Sequence, residues 1–292
     1  MQLRGVMPAL VTPFDAEDRI DFKAFAAHLE HLRAAGVTGW VPCGSSGEYS
    51  FMSDEEREQV LLFVKDFAAP GEILIAGTNA PHTKGVIRNT ARAKEIGYDA
   101  VLLATPFYTK PTDAELVKHF QTVLDAVDVN LVLYSYPAKD GIEISLDVLD
   151  ALADHPRVIG IKESSGILQR AVAIATRYEG RIELVSGSDD IALDFMLWGA
   201  DCWICGPANC MAKAVCDLDR TWRAGDVAGA KSKMAKLYAA MNILESGKFV
   251  QKLKYGCELQ GTPVGGCRAP LGPLTDEEKA AFREAMEPIL NW

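Results

Sequence analysis

Residues 37–67 read VTGWVPCGSSGEYSFMSDEEREQVLLFVKDF. A short apolar run, Gly39 to Cys43, breaks into Gly44-Ser45-Ser46-Gly47-Glu48, and an amphipathic stretch from Ser53 to Phe67 follows. The run is apolar without strict alternation, as expected of a strand buried on both faces of a parallel sheet. Ser53 with Glu56 three residues later is a capping box, which marks a helix start. Strand, glycine turn and helix together make one β/α unit.

The same beat recurs along the chain. Strand-like runs cover Val6 to Thr12, Gly39 to Cys43, Ile73 to Thr78, Ala100 to Thr105, Asn130 to Tyr136, Val158 to Lys162, Ile182 to Ser186 and Cys202 to Cys205. Helical stretches lie between them, as at Asp21 to Ala35, Thr83 to Ile96 and Asp113 to Val127, with Gly36 and Gly97 placed as left-handed caps. Eight such units predict an α/β fold, a (β/α)8 barrel, with a doubly wound open sheet as the runner-up. From about Met211 the pattern is helical only, interrupted by a Pro/Gly loop from Gly261 to Pro273. The expected division is a barrel over 1–222 and a C-terminal helical extension over 223–292.

The chain has 292 residues and a net charge of −10 with no long basic run, which argues against nucleic acid and anionic membrane surfaces as partners. No apolar stretch is long enough for a membrane span, and the N-terminus lacks the layout of a signal peptide. Seven cysteines is an odd count in a chain of this length and suits reduced thiols in a cytoplasmic compartment. Cys202 and Cys205 lie within one strand, where residues three apart face opposite ways, so they do not suggest zinc. The five histidines form no ligand-spaced cluster, and His28 and His31 are expected at a helix surface. There is no P-loop and no dinucleotide fingerprint, so neither a metal nor a cofactor is expected.

In a barrel, reactive side chains belong at the carboxyl ends of strands. Four places qualify. Gly44-Ser45-Ser46-Gly47-Glu48 brings two hydroxyls and two backbone N–H groups together, which suits a carboxylate, although a plain turn explains the same composition. Lys162 ends the apolar run Val158-Ile-Gly-Ile, where partial desolvation favours a neutral amine able to form a Schiff base with a ketone. A Lys162–Glu163 charge pair is the alternative there. Tyr134 or Tyr136, in Leu131-Val-Leu-Tyr-Ser-Tyr-Pro137, and Tyr108, in Thr105-Pro-Phe-Tyr108, could carry protons or only pack.

Taken together, Gly44-Ser45-Ser46-Gly47-Glu48, Tyr-Ser-Tyr-Pro at Tyr134, Gly-Ile-Lys-Glu-Ser at Lys162, Ser-Gly-Ser-Asp at Gly187 and the late Val264-Gly265-Gly266-Cys267-Arg268-Ala269-Pro270-Leu271 resemble the dihydrodipicolinate synthase/N-acetylneuraminate lyase family over essentially the whole chain. The resemblance implies a homotetramer built as a dimer of dimers and a small-molecule 2-oxo acid substrate such as pyruvate. Lys162 would form the Schiff base. Tyr134 would shuttle protons through Ser46 to Tyr108, which would come from the neighbouring subunit of the tight dimer. Ser45 and Ser46 would hold the substrate carboxylate, with Gly187 and Ile204 lining the pyruvate end.

This chain also departs from the family pattern. Lys139 stands where the synthases have an arginine that holds the aldehyde partner's carboxylate, and it lacks the bidentate fork. Ser135 replaces a usual asparagine, and Asn79 a usual glycine. Asp189 and Asp190 resemble an acidic pair that binds substrate hydroxyls in the neuraminate lyases; as acids at a helix N-terminus they would equally serve the helix dipole. The expected activity is dihydrodipicolinate synthase-like. The alternatives are a keto-deoxy sugar acid aldolase or dehydratase, a neuraminate lyase-like aldolase and a deaminase of a hydroxylated pyrroline carboxylate. A non-catalytic 2-oxo acid sensor would need no Schiff-base lysine.

Overall fold

A computed structural model describes residues 1–292. The eight strands are β1 (Gly5–Pro8), β2 (Gly39–Trp40), β3 (Ile73–Gly77), β4 (Ala100–Ala104), β5 (Asn130–Ser135), β6 (Val158–Glu163), β7 (Glu183–Ser186) and β8 (Cys202–Cys205). Each is followed by helix, the connectivity of a (β/α)8 barrel. Contacts divide the chain into two compact units, one of Met1–Arg4 with Pro70–Ile204 and one of Gly5–Ala69 with Cys205–Trp292.

In the first unit, β3 to β8 pair in chain order, all parallel. Val101 to Leu103, Leu131 to Leu133 and Ile161 are almost wholly buried, which explains why these strands read as continuous apolar runs rather than alternating ones. Register sets Ala104 beside Tyr134 and Tyr134 beside Lys162. Side chains at one register level of neighbouring strands share a face, so the phenol and the amine are neighbours by backbone pairing alone.

In the second unit, β1 and β2 run parallel, joined through Thr38 N–H to Val6 O at 2.9 Å and Leu10 N–H to Val41 O at 3.0 Å. These strands are shorter than the sequence suggests. Pro8 and Pro42 have no N–H to give a ladder, and Cys43 has a left-handed φ of 58°, so β2 stops before the glycine turn. The helix Phe22–Ala35 is capped at Asp21 and ends on Gly36 with φ 100°, and Asp54–Phe67 opens on the Ser53/Glu56 capping box.

His28 corrects the sequence expectation. Its side chain is fully buried among Phe25, Leu29 and Leu32, and Nε2 lies 3.1 Å from Asn209 Oδ1. Burial holds its pKa down at about 4, which keeps the ring neutral. Asn209 in turn accepts from Val11 N–H and donates to Ala9 O and Gly206 O, so one amide ties three segments together. The unit is completed by helices Ala208–Arg223, Val227–Glu245, Phe249–Leu259 and Asp276–Leu290, with the expected loop before the last. No helix is long and apolar enough to cross a membrane, and all seven cysteines are free thiols.

Candidate active site

Lys162 ends β6 with only 5% of its surface exposed. Its Nζ lies 4.4 Å from the centroid of the Tyr134 ring, within cation–π range when the amine is protonated. Tyr134 is also buried. Desolvation, followed by unfavourable electrostatics from Tyr136, Asp140 and Asp189, holds its phenol well above the ordinary range, and a hydrogen bond with Ser164 opposes the shift. The phenol is therefore a neutral O–H at physiological pH, able to donate a proton to a group reacting at the amine.

The amine's position is fixed from both sides of the strand. Strand alternation sends Glu163 to the face opposite Lys162. There its buried carboxylate accepts from Arg170 Nε at 2.7 Å and Ser165 N–H at 2.6 Å. Arg170 also binds Glu143 and the carbonyl of Ile144. The Glu163 carboxylate is thus committed to Arg170, and Lys162 is left on the reactive face.

On that face Gly187 leaves room for the lysine stem. A Cβ built there would meet Ser164 Oγ, Lys162 Cγ at 2.8 Å and Glu163 O at 2.9 Å. Ser164 donates to Gly187 O at 2.8 Å while bonding the Tyr134 phenol, which links β5, β6 and β7 at one level. Ile204 is fully buried in β8. Asp189 is buried as well, and its Oδ1 accepts from the indole of Trp203 at 2.9 Å. Part of its hydrogen-bonding capacity is therefore spent inside the protein.

Lys139 and Asp140 end the short helix Pro137–Asp140, with Lys139 Nζ 5.3 Å from the Tyr136 ring centroid. Tyr134 and Tyr136 rings lie 5.9 Å apart. Tyr108 is the outlier of the set: 92% exposed, with a left-handed φ of 73°. A bulky residue held in that conformation stores strain, which is a pointer to function.

In the second unit, Ser45–Gly47 forms one turn of 3-10 helix after Gly44, with Ser46 buried. Gly47 is forced by a close approach: a Cβ would lie 2.9 Å from Leu10 O, and Gly47 O accepts from the Thr12 hydroxyl at 2.7 Å. Glu48 closes the turn with φ 58°. Its buried carboxylate accepts from Arg268 N–H at 2.9 Å, and Lys254 Nζ stands 2.6 Å from Oε1 as an ion pair outside hydrogen-bond direction. The Arg268 guanidinium reaches Glu56 and Phe51 O. The serine turn is therefore clamped by residues from the C-terminal helices and loop.

Ser164 and Glu48 stand within the sequence motifs without a role of their own there, and Arg170, Lys254 and Asp140 stand in none of them. Ser164 carried a signal, being two residues past the lysine on the same strand edge. The ion-pair partners carried none, since Glu56 and Arg268 are 212 positions apart.

A buried amine beside a neutral phenol on adjacent parallel strands suits Schiff-base chemistry, and the family of this chain makes it a class I aldolase-type lyase or synthase. The chain belongs to the dihydrodipicolinate synthetase family, which it matches over residues 2–289. It is 32% identical over 287 residues to the 4-hydroxy-tetrahydrodipicolinate synthase of Methanothrix thermoacetophila, covering 97% of this chain and 96% of the relative. The enzyme of that name from Methanosphaerula palustris is 34% identical, with 97% and 98% covered. Among solved structures, the chloride-inhibited dihydrodipicolinate synthase of Acinetobacter baumannii complexed with pyruvate superposes with a TM-score of 0.95 at 33% identity, covering 99% of both chains. A prophage protein of the same family from E. coli K12, in complex with pyruvate, gives 0.94 at 27% identity, also covering 99% of each chain. The fold is the (β/α)8 barrel with a C-terminal helical extension, and the function is dihydrodipicolinate synthase-like.

Proposed function

We propose that Lys162 attacks the ketone of pyruvate or a related 2-oxo acid and forms an imine as water leaves. The observation that carries this reading is the Lys162 amine lying 4.4 Å from the ring of a buried, neutral Tyr134 on the neighbouring strand. Tyr134 gives the proton that the departing hydroxyl needs. The protonated imine then draws electrons from the adjacent carbon, which loses a proton to become an enamine and adds to an aldehyde partner; cleavage runs the same steps backwards.

Ser45 and Ser46 hold the 2-oxo acid carboxylate, and Ser46 relays protons between Tyr134 and Tyr108. Gly187 and the Ile204 carbonyl line the pyruvate end, while Lys139 and Asp189 serve the second substrate. The strained, exposed Tyr108 supports its insertion into a neighbouring copy, and the family resemblance extends that dimer to a homotetramer of two tight dimers. A barrel over 1–222, a helical extension over 223–292 and a cytoplasmic location complete the reading.

Lysine at the position of the synthases' arginine, followed directly by an acid, favours a second reading within the same chemistry: an aldolase or dehydratase of keto-deoxy sugar acids. Trapping with pyruvate and borohydride tests the shared step. A mass increase mapped to Lys162 is the expected result, and an unmodified protein would overturn it. A panel of aldehydes, neuraminate, keto-deoxy sugar acids and the pyrroline carboxylate then separates the alternatives.

A further inference from the structure

Asp140 ends the short helix Pro137–Asp140, which directly follows the strand that carries Tyr134. Thr105 follows Ala104, the residue in register with Tyr134, and its hydroxyl donates to Asp140 Oδ2 at 3.3 Å. Asp140 thus closes the gap between the ends of β4 and β5, near enough to Tyr134 for its charge to act on the phenol. Its surroundings are mixed in sign. Lys139 precedes it and favours its ionised form, and the Lys110 stem packs where a Cβ on Gly141 would stand. Tyr136 begins the same turn, and Lys162 and Asp189 act on Tyr134 from the other side.

We propose that Asp140 is a specificity-determining residue, accepting a hydrogen bond from a hydroxyl of a neutral, hydroxylated aldehyde partner and disfavouring a partner with a carboxylate at that point. The proposal rests on the Schiff-base reading above and names the substrate class of the same site. The charge pattern selects the class. A carboxylate that satisfied Lys139 would sit against Asp140, and an ammonium that satisfied Asp140 would sit against Lys139. A hydroxyl accepts from the lysine and donates to the aspartate, so it suits both.

Protonation gives the proposal a distinctive signature. Burial raises the Asp140 pKa to about 6, against the opposing effects of the Thr105 hydrogen bond and Lys139. Above that pH the carboxylate accepts from a hydroxyl and repels a carboxylate; below it both effects fade. Selectivity for the hydroxylated partner therefore rises with pH through this window.

The test uses the full chain with pyruvate and either glyceraldehyde or succinic semialdehyde, reading kcat/KM for each from pH 5 to 8. The ratio of the two should favour glyceraldehyde at pH 7 and fall about ten-fold in Asp140→Asn, the size expected for losing one charge-assisted hydrogen bond. Its pH inflection should vanish in that variant. In Thr105→Val the inflection should move to higher pH, because the hydroxyl that stabilises the carboxylate is gone; this second readout stands even if Asp140→Asn folds poorly. An enzyme that traps pyruvate at Lys162 yet keeps its ratio in Asp140→Asn, prefers succinic semialdehyde at pH 7 or accepts neither aldehyde would overturn this proposal alone. Failure to trap pyruvate would overturn the Schiff-base reading together with it.

Discussion

The Lys162–Tyr134 pair and the Ser45–Ser46 turn are held in place by different physics. The first stands on adjacent strands, where parallel register sets the two side chains at one level, Gly187 leaves room for the lysine stem and Ser164 bonds the phenol. The second stands on a single 3-10 turn whose capping residue, Glu48, is gripped by a buried ion pair from far along the chain. Register cannot slip by one residue without turning the whole strand inside out. A buried ion pair is less forgiving in another way, since losing one partner strands a charge. The lysine site is thus robust to all but direct changes, while the serine turn is vulnerable at a distance.

The largest effects should come from the lysine site itself. Lys162→Ala should lower kcat by roughly a thousand-fold or more, as removal of a covalent nucleophile does. Tyr134→Phe should cost about a hundred-fold, the size of one general acid–base contribution, with pyruvate trapping slowed but not abolished. Steady-state assays of both variants against the wild type decide this.

Gly187→Ala comes next. The new methyl would collide with the lysine stem and with the carbonyl of Glu163, so it should cost about 1–3 kcal/mol of stability. Activity should fall further than the stability loss explains, because the atom displaced is on Lys162. Denaturant unfolding alongside kcat would separate the two, and full activity in this variant would show that the lysine does not need its present path.

Lys254→Met sharpens the contrast. It leaves Glu48 as a buried, half-compensated charge and should destabilise by about 3–5 kcal/mol, whereas adding Glu48→Leu should restore much of that loss. If the turn depends on this clamp, KM for pyruvate should rise in the single variant. Arg170→Met, the matching change behind β6, should cost similar stability with a smaller change in KM, since hydrogen-bonded register still holds Lys162.

The effect that leaves activity at neutral pH untouched is on acid stability. His28 has a folded pKa depressed to about 4 by burial, against an ordinary value of 6.5. The unfolded chain therefore binds the proton first, and the stability this neutral ring contributes is present above pH 6.5 and lost as pH falls toward 4. The size is on the order of 3 kcal/mol over that window, from a shift of this magnitude. His119 is also depressed to about 4 by desolvation and adds in the same direction. Unfolding curves between pH 7 and 4.5 should show the decline, and His28→Gln should flatten part of it.

Much of this was legible in the chain, and the boundary is physical. Strands buried on both faces leave continuous apolar runs, and caps leave local signatures, so the eight units, Ser53/Glu56 and the glycines at 36 and 97 could be read directly. Strand ends were overextended because Pro8 and Pro42 are apolar yet have no N–H to give a ladder. His28 was misplaced although its spacing from Phe25, Leu29 and Leu32 sets it on the buried stripe. Its polarity outweighed its position, and its partner Asn209 lies 181 residues away. The lysine and tyrosine were found because strand ends are where a barrel does chemistry. Lys254 was missed, and Arg268 stood in a motif without a role, because nothing local distinguishes a buried cation from a solvated one.

Incubation with pyruvate, reduction with borohydride and mapping of the modified peptide tests the central claim most directly. The account predicts a single reduced adduct on Lys162, slower to form in Tyr134→Phe and absent in Lys162→Ala. An unmodified protein, or an adduct on any other lysine, would contradict it.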